Sequence, residues 1–403
     1  MRSASQTGVG VLSTDSSQAY GGMPVAPPNL FRTPSSCAAD LALIAKPGSS
    51  RRGGTDSKLR VGNFITFSGA PGIWGPISAN SVMLAVAEIN KRGGIRGREV
   101  ELSMYDAGGP IVDVVRRAER AIAFDEIDMI MGSHISAVRL ALRKVTSGRI
   151  PYVYTPVYEG GERTPGVMAI GETPRAESRP AIHWLAEVKK AKRWYLIGSD
   201  YVWPWQSHRA VKHYIAESGG QVVGEEFVPL GEDDHEPHLA RIRAAKPDVV
   251  LITLIGTDSI TFNRAFAEAG LAATTLRYAG AMDETVLLGI GPDATENLFC
   301  ASGYFGCIDS RANDDFRISY RAMFGAHAPP IGSVGQSNYE GMRFVEAAAN
   351  RAGSLAVGPL FAAGRNVIYS GGRGDVTIRD GRAEMPIYLA EADGLDFNVI
   401  KTI

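Results

Sequence analysis

From Leu59 onward, short apolar runs alternate with amphipathic stretches, and this rhythm predicts most of the elements. Val61 to Phe67 reads as a strand, and Ser68-Gly69-Ala70-Pro71-Gly72 turns away from it. Val82, Ala85, Val86 and Ile89 recur at i, i+3, i+4 and i+7, as on one helix face, until Arg92-Gly93-Gly94 stops them. Val100, Leu102 and Met104 alternate as a strand, and Asp106-Ala107-Gly108-Gly109-Pro110 breaks it before a helix from Val112 to Phe124. Met129 to Met131 is a third strand, followed by a turn over 132–136, a helix, and a strand ending at Tyr154. After Pro174 the same order resumes. Helices at Ala176 to Lys190, Trp205 to Glu217, His238 to Ala245 and Ile260 to Ala269 precede strands at Trp194 to Ile197, Val222 to Phe227, Val249 to Leu254 and Leu276 to Ala279. Such alternation predicts an α/β fold with parallel sheets covered on both faces, here as two doubly wound lobes before and after about residue 173. From Gly364 the pattern changes: Gly371-Gly372-Arg373-Gly374, then Val376-Thr377-Ile378 and Ile387 to Ala390, read as a hairpin.

The polar positions cluster where strands end. In open α/β sheets, ligands bind just beyond the carboxyl ends of the strands. Ser136 near one end, and Tyr154, Pro156 and Tyr158 at another, would line one crevice, although Ser136 equally suits a helix N-cap. His134 lies in the same turn without a nucleophile or carboxylate-backed base, which suits a neutral hydrogen-bonding role. In the second block, Gly198-Ser199-Asp200-Tyr201-Val202-Trp203-Pro204 and Thr253-Leu254-Ile255-Gly256-Thr257-Asp258 repeat the pattern. Aromatic walls with a few placed polar groups suit a small, mostly uncharged ligand.

Composition narrows the classes. The 403 residues allow two or three domains, and a formal net charge of −1 offers no surface for nucleic acid. No apolar run of about 18 residues predicts a membrane span. Nucleophile-elbow, Walker, HExxH and CxxC patterns are missing, and Gly289-Ile290-Gly291 carries Pro292 and follows a predicted helix, so no cofactor is expected. The cluster Glu232 to His238 reads as a solvated loop near a helix start rather than a metal site. Residues 1–57, rich in Ser, Gly, Pro and Ala, read as a disordered tail without the basic start and apolar run of an export signal. With three cysteines, Cys37, Cys300 and Cys307, the simplest reading is a reduced, cytoplasmic protein.

Several of these pieces resemble a known family. Tyr158-Glu159-Gly160, Ile197-Gly198-Ser199-Asp200-Tyr201 with Pro204, Ile255-Gly256-Thr257, and Tyr304-Phe305 with Ile308-Asp309 resemble the type I periplasmic-binding-protein superfamily. Within it they look most like the cytoplasmic aliphatic-amide sensors that regulate amidase operons, with nitrile hydratase regulators as relatives. The resemblance runs from about Val61 to Ala390. It implies two lobes, 58–173 plus 304–368 and 174–303 plus 369–403, closing over a small ligand. The chain would cross between them near Glu172-Thr173, Ser302-Gly303 and Ile368 to Gly374. It places Ser136, Tyr154 and Pro156 on one side of the ligand and Tyr201 and Trp203 on the other, and His134 and Thr253 stay candidates from their strand-end positions. Glu284 or Asp283 would meet an ammonium if the ligand had one. His134 and Pro156 stand where the amide sensors carry tyrosine and threonine, and Trp74 intrudes in the first loop. The function so implied is non-enzymatic sensing of a small amide or nitrile-derived compound, passed to an antiterminator-type protein partner. Direct nucleic-acid binding and a membrane have no part in it, and a homo-oligomer is allowed. The alternative is the solute-binding component of an importer for urea, short amides or branched-chain amino acids.

Overall fold

The computed structural model describes residues 58–403, so the 1–57 tail and Cys37 lie outside the described residues. Five strands, β1 Lys58–Ile65, β2 Glu99–Asp106, β3 Met129–Gly132, β4 Tyr152–Tyr154 and β5 Val167–Ala169, form a parallel sheet in the order β2-β1-β3-β4-β5. A second sheet holds β6 Arg193–Ser199, β7 Gln221–Val228, β8 Val249–Thr253, β9 Leu276–Ala279 and β10 Leu298–Ser302, all parallel, in the order β10-β9-β8-β6-β7. A small antiparallel sheet follows: β11 Val367–Gly371, β12 Gly374–Arg379 and β13 Arg382–Glu384. Then β14 Tyr388–Asp393 and β15 Asp396–Thr402 return to the second sheet, antiparallel beside β10. These are the α/β architecture and parallel sheets expected from the alternation.

Helices cover both sheets for the reasons visible in the sequence. Ile111–Ala123 buries Val114, Ala118, Ala121 and Ile122, one stripe of a helix whose other face is charged. The central strands are apolar on both faces, as β8 Val-Val-Leu-Ile-Thr is, because helices lie above and below. Two expectations change. The hairpin forms over Val367–Arg379, but Ile387 to Ala390 does not join it. Leu389 and Ala390 are fully buried in β14, which covers the edge of β10 that would otherwise be unpaired. The helix Ser333–Ala352, unassigned from sequence, packs along Gly75–Lys91. Gly335 permits that approach, since a Cβ there would lie 2.3 Å from the Ile77 side chain.

Candidate functional site

Both parallel sheets reverse strand order once, between β1 and β3 and between β6 and β8, and at each reversal the loops part to leave a crevice. A cavity of about 50 Å³ lies where the two crevices meet. Thr66 and Ser133 reach it from just past β1 and β3, Tyr154 and Pro156 from the end of β4, and Tyr201, Ile255 and Ala281 from just past β6, β8 and β9. Trp74, Trp203 and Val334 add aromatic and apolar walls, and Ser78 a hydroxyl. None of the described residues lining it is Asp, Glu, Lys or Arg.

Of the residues named from sequence, His134, Ser136, Tyr154, Pro156, Tyr201 and Trp203 meet here, whereas Tyr158 does not line the cavity. Their polar groups divide into two sets. On the first sheet's side most are already engaged. Ser136 Oγ donates to Glu159 Oε2 at 2.7 Å, and Tyr154 OH donates to the His134 carbonyl at 2.7 Å. Nδ1 of His134 reaches the Ile135 carbonyl at 3.3 Å, leaving Nε2 to accept from Tyr152 OH at 2.9 Å. Burial pushes the His134 pKa down to about 3, so the ring is neutral, as its surroundings in the sequence suggest. On the other side the Tyr201 hydroxyl has no hydrogen-bond partner among the described residues, and the indole N–H of Trp203 is buried without one. The helices Ser136–Thr146 and Val202–Glu217 both start at the cavity. Their N-caps are Ile135 and Tyr201, and no side chain caps either, so first-turn N–H groups face an acceptor-poor space. Ser136 is therefore the first helical residue rather than the cap.

Thr253 and Glu284 lie elsewhere. Thr253 is the last residue of β8, and its Oγ1 pairs with His208 Nε2 at 2.9 Å behind the cavity wall. Ile255, two residues on, takes the lining position. Asp283 Oδ1 accepts from Trp74 Nε1 at 2.9 Å and from the amides of Thr285 and Val286, capping Glu284–Ile290, so it is not free for an ammonium. Glu284 points the other way. Its Oε1 accepts the Gly306 amide at 2.5 Å, its Oε2 has no partner, and burial followed by the nearby Asp283 charge pushes its pKa up to about 8. A carboxyl raised from 4.5 in this way contributes stability below pH 4.5 that is lost as pH rises towards 8. Glu284→Gln is accordingly expected to gain stability relative to the parent between about pH 5 and pH 8, measured as urea midpoints. An unchanged difference across that range would show that Glu284 ionises freely.

Gly256, in the Ile255-Gly256-Thr257 motif, marks how closely the loops approach. Its φ is +58°, and a Cβ would lie 1.9 Å from the carbonyl oxygen of Ala70, which precedes Trp74 in the first loop. Gly256→Ala is expected to weaken ligand binding about tenfold or more, by holding the two loops apart, while the helical circular dichroism is retained. Parent-like affinity by calorimetry would show that the closed approach is not needed for binding.

Residues 58–396 match the family described as periplasmic binding protein. The chain belongs to this family. Periplasmic binding proteins of the Leu/Ile/Val-binding type are among its relatives: it is 23% identical over 318 residues to Leu/Ile/Val-binding protein homolog 7 of Brucella abortus (strain 2308), covering 73% of this chain and 77% of that one. With the Leu/Ile/Val-binding protein BraC3 of Rhizobium johnstonii the identity is 23% over 300 residues, 73% and 80% of the two chains. Among solved structures, a periplasmic binding protein from Burkholderia mallei superposes with a TM-score of 0.79 at 19% identity, covering 87% and 95%. A solute-binding protein of an ABC transporter from R. palustris, in complex with 4-hydroxybenzoate, gives 0.77 at 22%, covering 86% and 97%. These structures share the fold, and the relatives of this chain are binding proteins rather than enzymes. The resemblance read from sequence holds at the level of the family. Nothing in these relatives supports an amidase-operon sensor.

Proposed function

We propose that the chain is the solute-binding component of an importer, taking a small planar ligand with a carboxylate or carboxamide head and no ammonium. The observation that carries the ligand class is the pairing of unmet donors with an uncharged wall. The Tyr201 hydroxyl lacks a partner among the described residues, two helices begin uncapped at the cavity, and no acidic side chain lines it. A carboxylate or amide oxygen satisfies those donors, whereas an ammonium finds no carboxylate to replace its water. The flat head suits walls built from Trp74, Tyr154, Tyr201 and Trp203. At about 50 Å³ the cavity admits a few non-hydrogen atoms as it stands, so a ring-bearing ligand enters through parting of the loops.

The importer role is supported by the transport-type relatives. On this reading the protein partner is a membrane transporter rather than an antiterminator, and the site faces the outside, against the cytoplasmic placement expected from the sequence. Cell fractionation decides that point: recovery of the full-length chain only in the cytoplasm would return the amide-sensor reading to first place. The ligand class is tested by thermal shift with benzoate, benzamide, acetamide, urea and leucine. A ligand at a hundred times its Kd adds about 2.7 kcal/mol to the folded state. Stabilisation by the carboxylates or amides but not by leucine is expected, and stabilisation by leucine alone would overturn the assignment.

A further inference from the structure

The cavity has a neighbour. Pro156, Val157, Ala281 and Val334 also wall a second hollow of about 10 Å³, whose other walls include Glu172 and Glu177. That volume is room for one non-hydrogen atom. Glu177 is 6% exposed, and its carboxyl has no hydrogen-bond partner among the described residues. The neighbouring charges are all engaged. Arg373 pairs with Glu172, donates from Nε to Gln336 at 2.8 Å, and gives its backbone N–H to Glu340 at 3.2 Å. Glu172 also accepts the Gly303 amide at 3.2 Å. The Arg373 guanidinium thus pairs with Glu172 while its backbone N–H serves Glu340, and Glu177, beside Glu172, Tyr278 and Cys300, has no ion pair of its own among the described residues. Burial, followed by the Glu172 charge, raises its pKa well above the ordinary value against an opposing pull from Arg373, which favours the protonated carboxyl. Such a carboxyl has acceptor capacity and one O–H, and leaving both unmet in a buried site is unfavourable.

Building on the ligand class above, we propose that Glu177 sets specificity by receiving a hydrogen-bond donor, a hydroxyl or amino group, that the ligand carries away from its carboxylate or carboxamide head. The hollow admits that one atom and little more, so a bulkier substituent is excluded at the same place. Glu177 lines the hollow beside the uncharged cavity, and Glu172 and Arg373 act on it through charge.

The test is calorimetry on the parent, Glu177→Leu and Glu177→Ala. The probes are benzoate with its 3-hydroxy, 4-hydroxy and 4-amino derivatives, and acetamide with 2-hydroxyacetamide. At least one donor-bearing probe is expected to bind the parent about tenfold more tightly than its unsubstituted match, and to lose that advantage in both variants, while the unsubstituted probe keeps its affinity. The hydroxy and amino probes separate the two donors. The apo melting temperature of Glu177→Leu is expected at or above that of the parent, because an unmet polar group is gone, and Glu177→Ala serves if the leucine variant fails to fold. An unsubstituted probe that binds, with no donor preference in the parent or the same preference in the variants, would overturn the assignment and leave the hollow to a water. If no probe binds the parent at all, the ligand class itself fails and this assignment falls with it, so benzoate and acetamide distinguish the two failures.

Discussion

Arg139→Met is expected to cost about 3–5 kcal/mol of folding stability, read as a lower urea midpoint, and to weaken ligand binding at the same time. The Arg139 side chain is 2% exposed and pairs with both Glu159 and Glu162, themselves 10% and 1% exposed. Removing one partner of a buried pair leaves uncompensated charge, and here one guanidinium answers two carboxylates. Glu162 is held in place, because its other oxygen receives the amides of Arg163 and Thr164 at 3.0 and 2.9 Å, and Arg143 lies 3.5 Å away as a weaker partner. The link to binding runs through the cavity wall. Glu159 holds Ser136 at 2.7 Å, and the guanidinium carbon lies 5.3 Å from the ring centres of both Tyr154 and Tyr158. Losing Arg139 therefore frees two lining residues as well as two charges. Adding Glu162→Gln to Arg139→Met should recover part of the stability, since one orphaned charge disappears. A single-variant loss below about 1 kcal/mol would mean that the carboxylates escape to solvent or protonate at little cost.

This cluster also shows where sequence reading stops. The strands were legible because parallel strands buried on both faces are apolar without interruption, as Val249 to Thr253 is. The general position of the site was legible too, because every parallel strand has an identifiable carboxyl end. Applying that rule to each strand in turn would have added Thr66, Ser133 and Ile255, the residues just beyond β1, β3 and β8. The direction of a side chain was not legible. The Ser136 hydroxyl turns to Glu159, 23 residues later, and no local pattern announces that partner. Thr253 and Ile255 both follow from the same strand end, and only the packing of His208 decides which one lines the cavity. The helix Ser333–Ala352, which supplies Val334, escaped because its first half is buried all round. Gln336, Ser337, Asn338 and Glu340 are as covered as Val334 and Met342, so no amphipathic period forms. The finer choice between amide sensor and importer component was not legible for a different reason. One scaffold hosts both, and the choice lies in a few wall residues and in a partner.

Arg373→Met is the second large effect expected, again about 3–5 kcal/mol, and its pH dependence separates it from ordinary loss of packing. Arg373 sits in the turn between β11 and β12 with its side chain 3% exposed. It pairs with Glu172, reaches the Ser333 carbonyl at 3.4 Å, and lies beside the buried Glu340. Glu172 in turn accepts the Gly303 amide, so the three passages of chain expected to cross between the lobes are joined through one carboxylate and one guanidinium. Without Arg373, Glu172 loses its ion-pair partner and Glu340 is left with only the more distant charge of Arg343. Glu340, already raised by burial, then loses the Arg373 charge that opposes that rise, so the variant keeps more stability at low pH and loses it as pH increases. The difference between parent and variant urea midpoints is thus expected to be small near pH 5 and to widen towards pH 8. Glu172→Gln in the same background should narrow it again, because the amide keeps the Gly303 contact without the charge. A difference of equal size at both pH values would assign the whole effect to lost side-chain packing, and would remove the charge balance at this crossing as the reason Arg373 is there.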